Sequence, residues 1–192
     1  MPPRATFSKQ DVIQAAFDLV DTYGMTGLSA RAVAQELDSS TAPVYSNFST
    51  MDELARAVIR KATDLLFEYA TTPQTEKVFL NLGVGVVRFA QEHRFLFKAL
   101  FLESNAYQDI IAELLAAMLE VIDQDERLNS LTREQKQALL TKMSIVTLGY
   151  ASQICLGFIA DTDDHCIVSH LEDIGSCVVE AALVEAGQES RQ

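Results

Sequence analysis

The chain of 192 residues contains no run of 18 or more apolar side chains, which excludes a membrane-spanning helix. Its first residues, MPPRATFSKQD, lack the apolar stretch of a secretory leader, and a cytoplasmic location is expected. Three cysteines, an odd number in a chain of ordinary size, argue against a disulfide framework and for reduced thiols. Four prolines and eight glycines leave few breaks in the backbone, and the β-branched alternation of strands is scarce. The pattern is therefore helical. GxSxG, HExxH, GxGxxG, Walker A and CxxC motifs are all absent, and no nucleophile–base–orienter set is legible. No catalysis, cofactor or metal is expected.

Cations are also few: 15 Lys and Arg stand against 27 Asp and Glu, a net charge of −12. Such a balance normally argues against nucleic acid, whose phosphates demand positive charge. The charge is unevenly spread, however. Residues 1–61 hold six cations and seven anions, so they carry −1 and the remainder carries −11. An almost neutral head on an acidic body permits DNA binding by the head alone. The apolar fraction of 48% with 22% charged residues is that of a folded protein able to bury a core.

Ser8 caps a first helix that carries Asp11 at its third position and Gly24 as a left-handed stop. Ser29 caps a second helix, ARAVAQEL, and Ser40 a third short one, TAPVYSNF, with Pro43 in its first turn. Thr50 and Glu53 open a long helix over about 51–70, broken at Thr71-Thr72-Pro73. Further helical segments are expected at roughly 75–91, 93–103, 107–126 and 132–160. A last helix ends near Gly187 after the Asp161–Asp164 loop. An all-α fold follows, with a three-helix head and a helical-bundle body joined through the 51–70 helix.

Helix, short turn and short helix over 29–47 form the unit whose second member lies in the DNA major groove. Val33, Leu37 and Val44 supply an apolar wedge, and small Ala34 allows the helices to cross closely. Ser40, Thr41, Ala42, Tyr45, Ser46 and Asn47 offer hydroxyl, methyl, phenol and amide groups. Hydroxyls and phenols suit phosphates, Asn suits adenine, and methyls suit thymine. A three-helix core with a merely polar surface has the same pattern.

The residues Val12-Ile13-x-Ala15-Ala16-x-x-Leu19-Val20, Gly24, Ser29-x-Arg31-x-Val33-Ala34, Ser40, Val44-Tyr45-x-Asn47-Phe48 and Leu54 carry a resemblance. Over residues 11–59 the chain resembles the N-terminal domain of the TetR/AcrR family of bacterial transcriptional repressors. The resemblance implies a DNA-binding domain at 1–50 and a ligand-binding and dimerisation domain at 51–192. It implies a homodimer on a palindromic double-stranded operator, released by a small-molecule inducer. Four positions depart from the family pattern. Asp38 replaces a turn glycine but tolerates left-handed geometry, Ser39 replaces an apolar turn residue, and Thr41 and Met51 stand where lysines are common. A shallow salt dependence is the consequence. DNA contacts then fall to Arg4, Arg31, Ser40, Thr41, Ala42, Val44, Tyr45, Asn47 and Thr50.

For the body, the resemblance implies a ligand cavity and a four-helix interface between copies. Phe97, Phe101, Met118, Ile122, Met143, Thr147, Tyr150 and Gln153 are the cavity candidates. Their mostly apolar character suits a hydrophobic molecule rather than a strongly anionic one. Leu156, Ile159, Ile167, Leu171, Ile174, Val178 and Ala181 are the interface candidates. Gly149, Gly157 and Gly175 are expected where backbones approach closely. Two rival readings remain: a metal- or redox-responsive regulator using Cys166 and His170, spaced i, i+4, and a helical interaction protein that does not bind DNA.

Overall fold

A computed structural model describes residues 7–103, 106–160 and 163–189. The described residues form nine α-helices and no strand. These are α1 (Lys9–Tyr23), α2 (Ala30–Glu36), α3 (Ala42–Asn47), α4 (Met51–Thr71), α5 (Val78–Glu92), α6 (Arg94–Phe101), α7 (Gln108–Ile122), α8 (Arg133–Cys155) and α9 (Asp164–Glu189). The chain divides into two compact units. One runs up to Asp64 and takes in His93–Ile111; the other holds Leu65–Glu92 and the residues from Ala112 onward. The division falls inside α4, between Asp64 and Leu65. The return of the 93–111 segment to the first unit is not visible in the sequence.

In the first unit, Ser8 and Asp11 form the expected capping box: Ser8 N–H donates to the Asp11 carboxylate at 2.8 Å and Asp11 N–H to Ser8 Oγ at 3.2 Å. Ser8 Oγ–H also donates to the Asp11 carboxylate at 2.8 Å, and this bond together with that from the Ser8 N–H holds the Asp11 carboxyl below its ordinary value. Gly24 ends α1 at φ 74°, its N–H on the Val20 carbonyl. Helix α1 packs on α2, α3 and α6. Val12, Ala16 and Val20 of α1, with Val33, Val44, Phe48 and Leu54, are all closed to water. Helix α6 adds Leu96 and Phe97. It is held to α1 by a 2.9 Å contact between His93 Nδ1 and Asp21, and by Phe95 against Gly24. Arg56 pairs with Asp109 and holds that carboxyl below its ordinary value.

In the second unit, α5 lies against α8 and α9 and buries Phe79, Leu82, Val86, Val87 and Phe89. The connection into α5 is tied by Asn81, which accepts from Thr75 N–H at 2.9 Å and donates to the Thr75 carbonyl at 3.0 Å. Thr132 and Gln135 cap α8 reciprocally. Helix α8 ends at Cys155, short of the expected residue 160. Gly157 takes φ 79° and donates to Ile154, and Phe158 N–H returns to the Gln153 carbonyl at 2.9 Å. This is a Schellman stop.

The expected tight glycines are placed differently. A Cβ on Gly149 or Gly157 would meet nothing within 4 Å, and one on Gly175 would make ordinary contact with Met143. The close approach is at Gly85, where a Cβ would lie 2.2 Å from the Tyr69 carbonyl oxygen.

Candidate nucleic-acid interface

Helices α2 and α3 form a helix-turn-helix. Ser29 Oγ accepts from Ala32 N–H at 3.1 Å and starts α2. The turn is closed by Ser39 N–H on the Ala34 carbonyl at 2.9 Å, and Asp38 adopts φ 46°, the left-handed geometry expected of it. Pro43 lies in the first turn of α3. Val33, Ala34 and Val44 face inward.

The outer side of α3 presents Thr41, Ala42, Tyr45 and Ser46, with Ser40 just before it. Tyr45 is 59% exposed although it belongs to a helix whose next turn reaches the core. On α2, Arg31 is exposed and has no ion-pair partner among the described residues. Thr50 accepts from Glu53 N–H at 3.1 Å at the start of α4. Glu53 in turn accepts from Ser49 N–H at 2.9 Å and lies 3.6 Å from Lys9. A hydroxyl-rich, phenol-bearing helix face, with an exposed guanidinium on the preceding helix, can engage phosphates and base edges.

Two of the expected contact residues do other work. Val44 is 1% exposed and serves the core, because α3 must bury one face to be held against α1 and α2. Asn47 donates its amide to the Pro43 carbonyl at 2.8 Å and the Phe7 carbonyl at 3.4 Å, so it ties the chain entry to the end of α3. Arg4 lies outside the described residues.

Of the cavity candidates, Met118, Ile122, Met143 and Thr147 are buried in the second unit, whereas Phe97 and Phe101 belong to the first and pack together at 5.3 Å. Tyr150 and Gln153 instead line an open groove of about 520 Å³ between α8 and α9, with Ile145, Gly149, His170 and Ile174. Tyr150 OH meets His170 Nδ1 at 3.0 Å. Among the interface candidates, Ile167 and Leu171 are turned into the chain's own core; Leu156, Ile174 and Ala181 are exposed, and Ile159 and Val178 half-buried. The reason is that α9 is apolar on two sides. Its inner side uses Ile167, Leu171, Ala182 and Ala186, while Ile174, Cys177, Ala181 and Val184 form an outer stripe at spacings of three and four. Ile145 on α8, 70% exposed, and Phe158 beyond it, 75% exposed, extend the apolar surface. The same spacing written in the sequence is the signal that identifies the outer stripe. Cys166 is half-buried, and no group of three or more metal-ligating side chains occurs among the described residues.

No family model matches the chain. The uncharacterized HTH-type transcriptional regulator YobS of Bacillus subtilis is 24% identical over 157 residues, covering 80% of this chain and 71% of that protein. A TetR-family transcriptional regulator from Streptomyces coelicolor superposes with a TM-score of 0.71 at 16% identity, over 92% of this chain and 88% of that one. The multidrug binding protein EbrR complexed with imidazole gives 0.60 at 19% identity, over 86% and 93%. The helix-turn-helix and helical body therefore define an all-α protein with an N-terminal helix-turn-helix unit. More narrowly, the chain has the fold of TetR-family regulators, as its N-terminal residues imply.

Proposed function

We propose that this chain is a DNA-binding transcriptional regulator, a repressor that leaves a palindromic operator when a small, mostly apolar ligand binds. The observation that carries this reading is the outward face of α3, with Tyr45 and Thr41 exposed, together with Arg31 on α2, exposed and without an ion-pair partner among the described residues. The curated relative is described as an HTH-type regulator, which supports the same reading. Residues 1–50 hold the operator-reading function and residues 51–192 the ligand and self-association functions. Because α6 packs on α1, and α1 on α2 and α3, within one compact unit, a shift of α6 reaches the DNA-reading helices through α1. The multidrug binding protein EbrR is seen complexed with imidazole; by analogy, Met118, Ile122, Met143, Thr147, Tyr150 and Gln153 contact the inducer. The exposed stripe of α9 with the outer side of α8 forms the homodimer face. The protein acts in the cytoplasm.

Selection of bound duplexes from a random-sequence library tests the proposal. Recovered sequences should converge on a motif with two-fold symmetry. Failure to retain any duplex at about 50 mM salt, where phosphate contacts are strong, overturns it.

A further inference from the structure

His93 opens α6, but its side chain does not cap that helix. The imidazole instead reaches back 72 residues, its Nδ1 lying 2.9 Å from Oδ2 of Asp21 in the last turn of α1. Both side chains are largely withdrawn from water, at 20% and 27% exposed. The second oxygen of Asp21, Oδ1, is closed to solvent and has no hydrogen-bond partner among the described residues. A neutral partner serves such a carboxylate badly. One of its oxygens has left water unfilled, and the group stands at the negative end of a helix dipole where α1 has no basic residue in its last turn. Positive charge is brought there by α6. Its Phe95 lies against Gly24, the stop of α1, with the Arg94 guanidinium and the Lys98 ammonium over the ring at 5.2 and 5.6 Å. The acids around the contact, besides Asp21, are Asp18, one turn earlier on α1 and bonded to Gln14, and Glu92, which precedes His93 and accepts from Tyr69 OH.

We propose that His93 and Asp21 form a proton-controlled tie between α6 and α1, and that its loosening as pH rises lowers operator affinity. The part concerning DNA rests on the regulator reading given above; the tie itself does not. Histidine is the side chain whose charge ordinarily changes between about pH 5 and 8. Charged, the ring offers Asp21 an ion pair and a hydrogen bond together; neutral, it offers the hydrogen bond alone. The proton comes from water and returns to it. The tie is well placed to reach the DNA-reading helices, because α1 packs on α2 and α3 as well as on α6. The arrangement it holds is the one in which Tyr45 and Thr41 of α3 are exposed, so tightening it favours the operator-reading form.

The test compares the full native chain with two variants. His93→Asn keeps a side-chain N–H for Asp21 but takes up no proton, and Asp21→Asn removes the charge that the imidazole meets. Amide hydrogen exchange over residues 96–100, corrected for the intrinsic effect of pH, reads how firmly α6 is held. Protection in the native chain should be about two- to fivefold higher at pH 6 than at pH 8, the range of a partly exposed ion pair, and should not vary in either variant. No change in the native chain, or an equal change in the variants, overturns the tie. If a variant fails to fold, NMR of the native chain decides: the His93 ring and the α6 amides should shift with one midpoint, and separate midpoints overturn the tie. Affinity for a duplex recovered by selection, at constant salt, should likewise be about two- to fivefold tighter at pH 6 in the native chain alone. Affinity indifferent to pH while protection responds overturns the effect on DNA and leaves the tie. A chain that retains no duplex at either pH overturns the regulator reading, and the exchange result still decides the tie.

Discussion

Asp125 accepts the main-chain N–H of Phe79 at 3.0 Å, across 46 residues of sequence. The first turn of a helix leaves its N–H groups without intrahelical partners, and here a carboxylate from the turn after α7 supplies one for α5. The same carboxylate is gripped by Arg127 through its Nε at 2.9 Å and a second nitrogen at 2.6 Å. Burial on its own raises the Asp125 carboxyl; the Arg127 and Phe79 bonds outweigh it and hold the group below its ordinary value.

Asp125→Ala should therefore destabilise the second unit by about 1–3 kcal/mol, since it strands a buried N–H. The sign of the pH dependence follows from the lowered carboxyl. Its contribution is fully present above the unfolded value near about pH 4 and is lost as pH falls through the lower folded value. Thermal melts of native and Asp125→Asn chains should differ at neutral pH and converge in strong acid. A gap that persists or widens below the folded value contradicts the assignment.

Asn47→Ala separates two roles that the side chain could have. With its amide on the Pro43 and Phe7 carbonyls, the substitution should cost about 0.5–1.5 kcal/mol of stability. Base preference in a duplex selection should be unchanged. A changed preference at one base position, with stability intact, restores it as a base reader.

Gly85→Ala and Gly149→Ala should act in opposite directions. A Cβ at 85 would press on the backbone of Tyr69 and Ala70, which cannot swing aside, so a loss of about 1–3 kcal/mol is expected. At 149 the space is open, and the gain in helix propensity is about 0.8–1 kcal/mol. Denaturant melts of the two variants read both signs.

What was legible in the sequence is what is local. The Ser8–Asp11 box, the Gly24 stop and left-handed Asp38 each depend on residues a few positions apart. The partners of Asn47 and Asp125 were hidden because Phe7 and Phe79 lie about 40 residues or more away. Glycine spacing could not separate tight Gly85 from open Gly149, since the deciding neighbour belongs to another helix. The sequence pattern puts Ile167 and Leu171 on the outer face because a helix apolar on two sides has no unique inner one.

The outward helix face itself is tested by Tyr45→Ala and Arg31→Ala. Tyr45 is more than half exposed and Arg31 has no ion-pair partner among the described residues, so neither truncation removes core or an ion pair among them. Both variants should melt within about 0.5 kcal/mol of the native chain. Tyr45→Ala should weaken operator binding while the oligomeric state is kept; loss of association together with loss of binding shows that the phenol supports the fold instead. Arg31→Ala should weaken every duplex alike and reduce the slope of log affinity against log salt by about 1 per head, the signature of a phosphate contact. The native slope should itself be shallow. Lys9 lies near Glu53, Arg56 pairs with Asp109, and the Lys61 ammonium lies over the Phe17 ring at 5.3 Å, so Arg31 carries much of the charge left for phosphate. A steep native slope that survives Arg31→Ala places the DNA contact elsewhere on the chain.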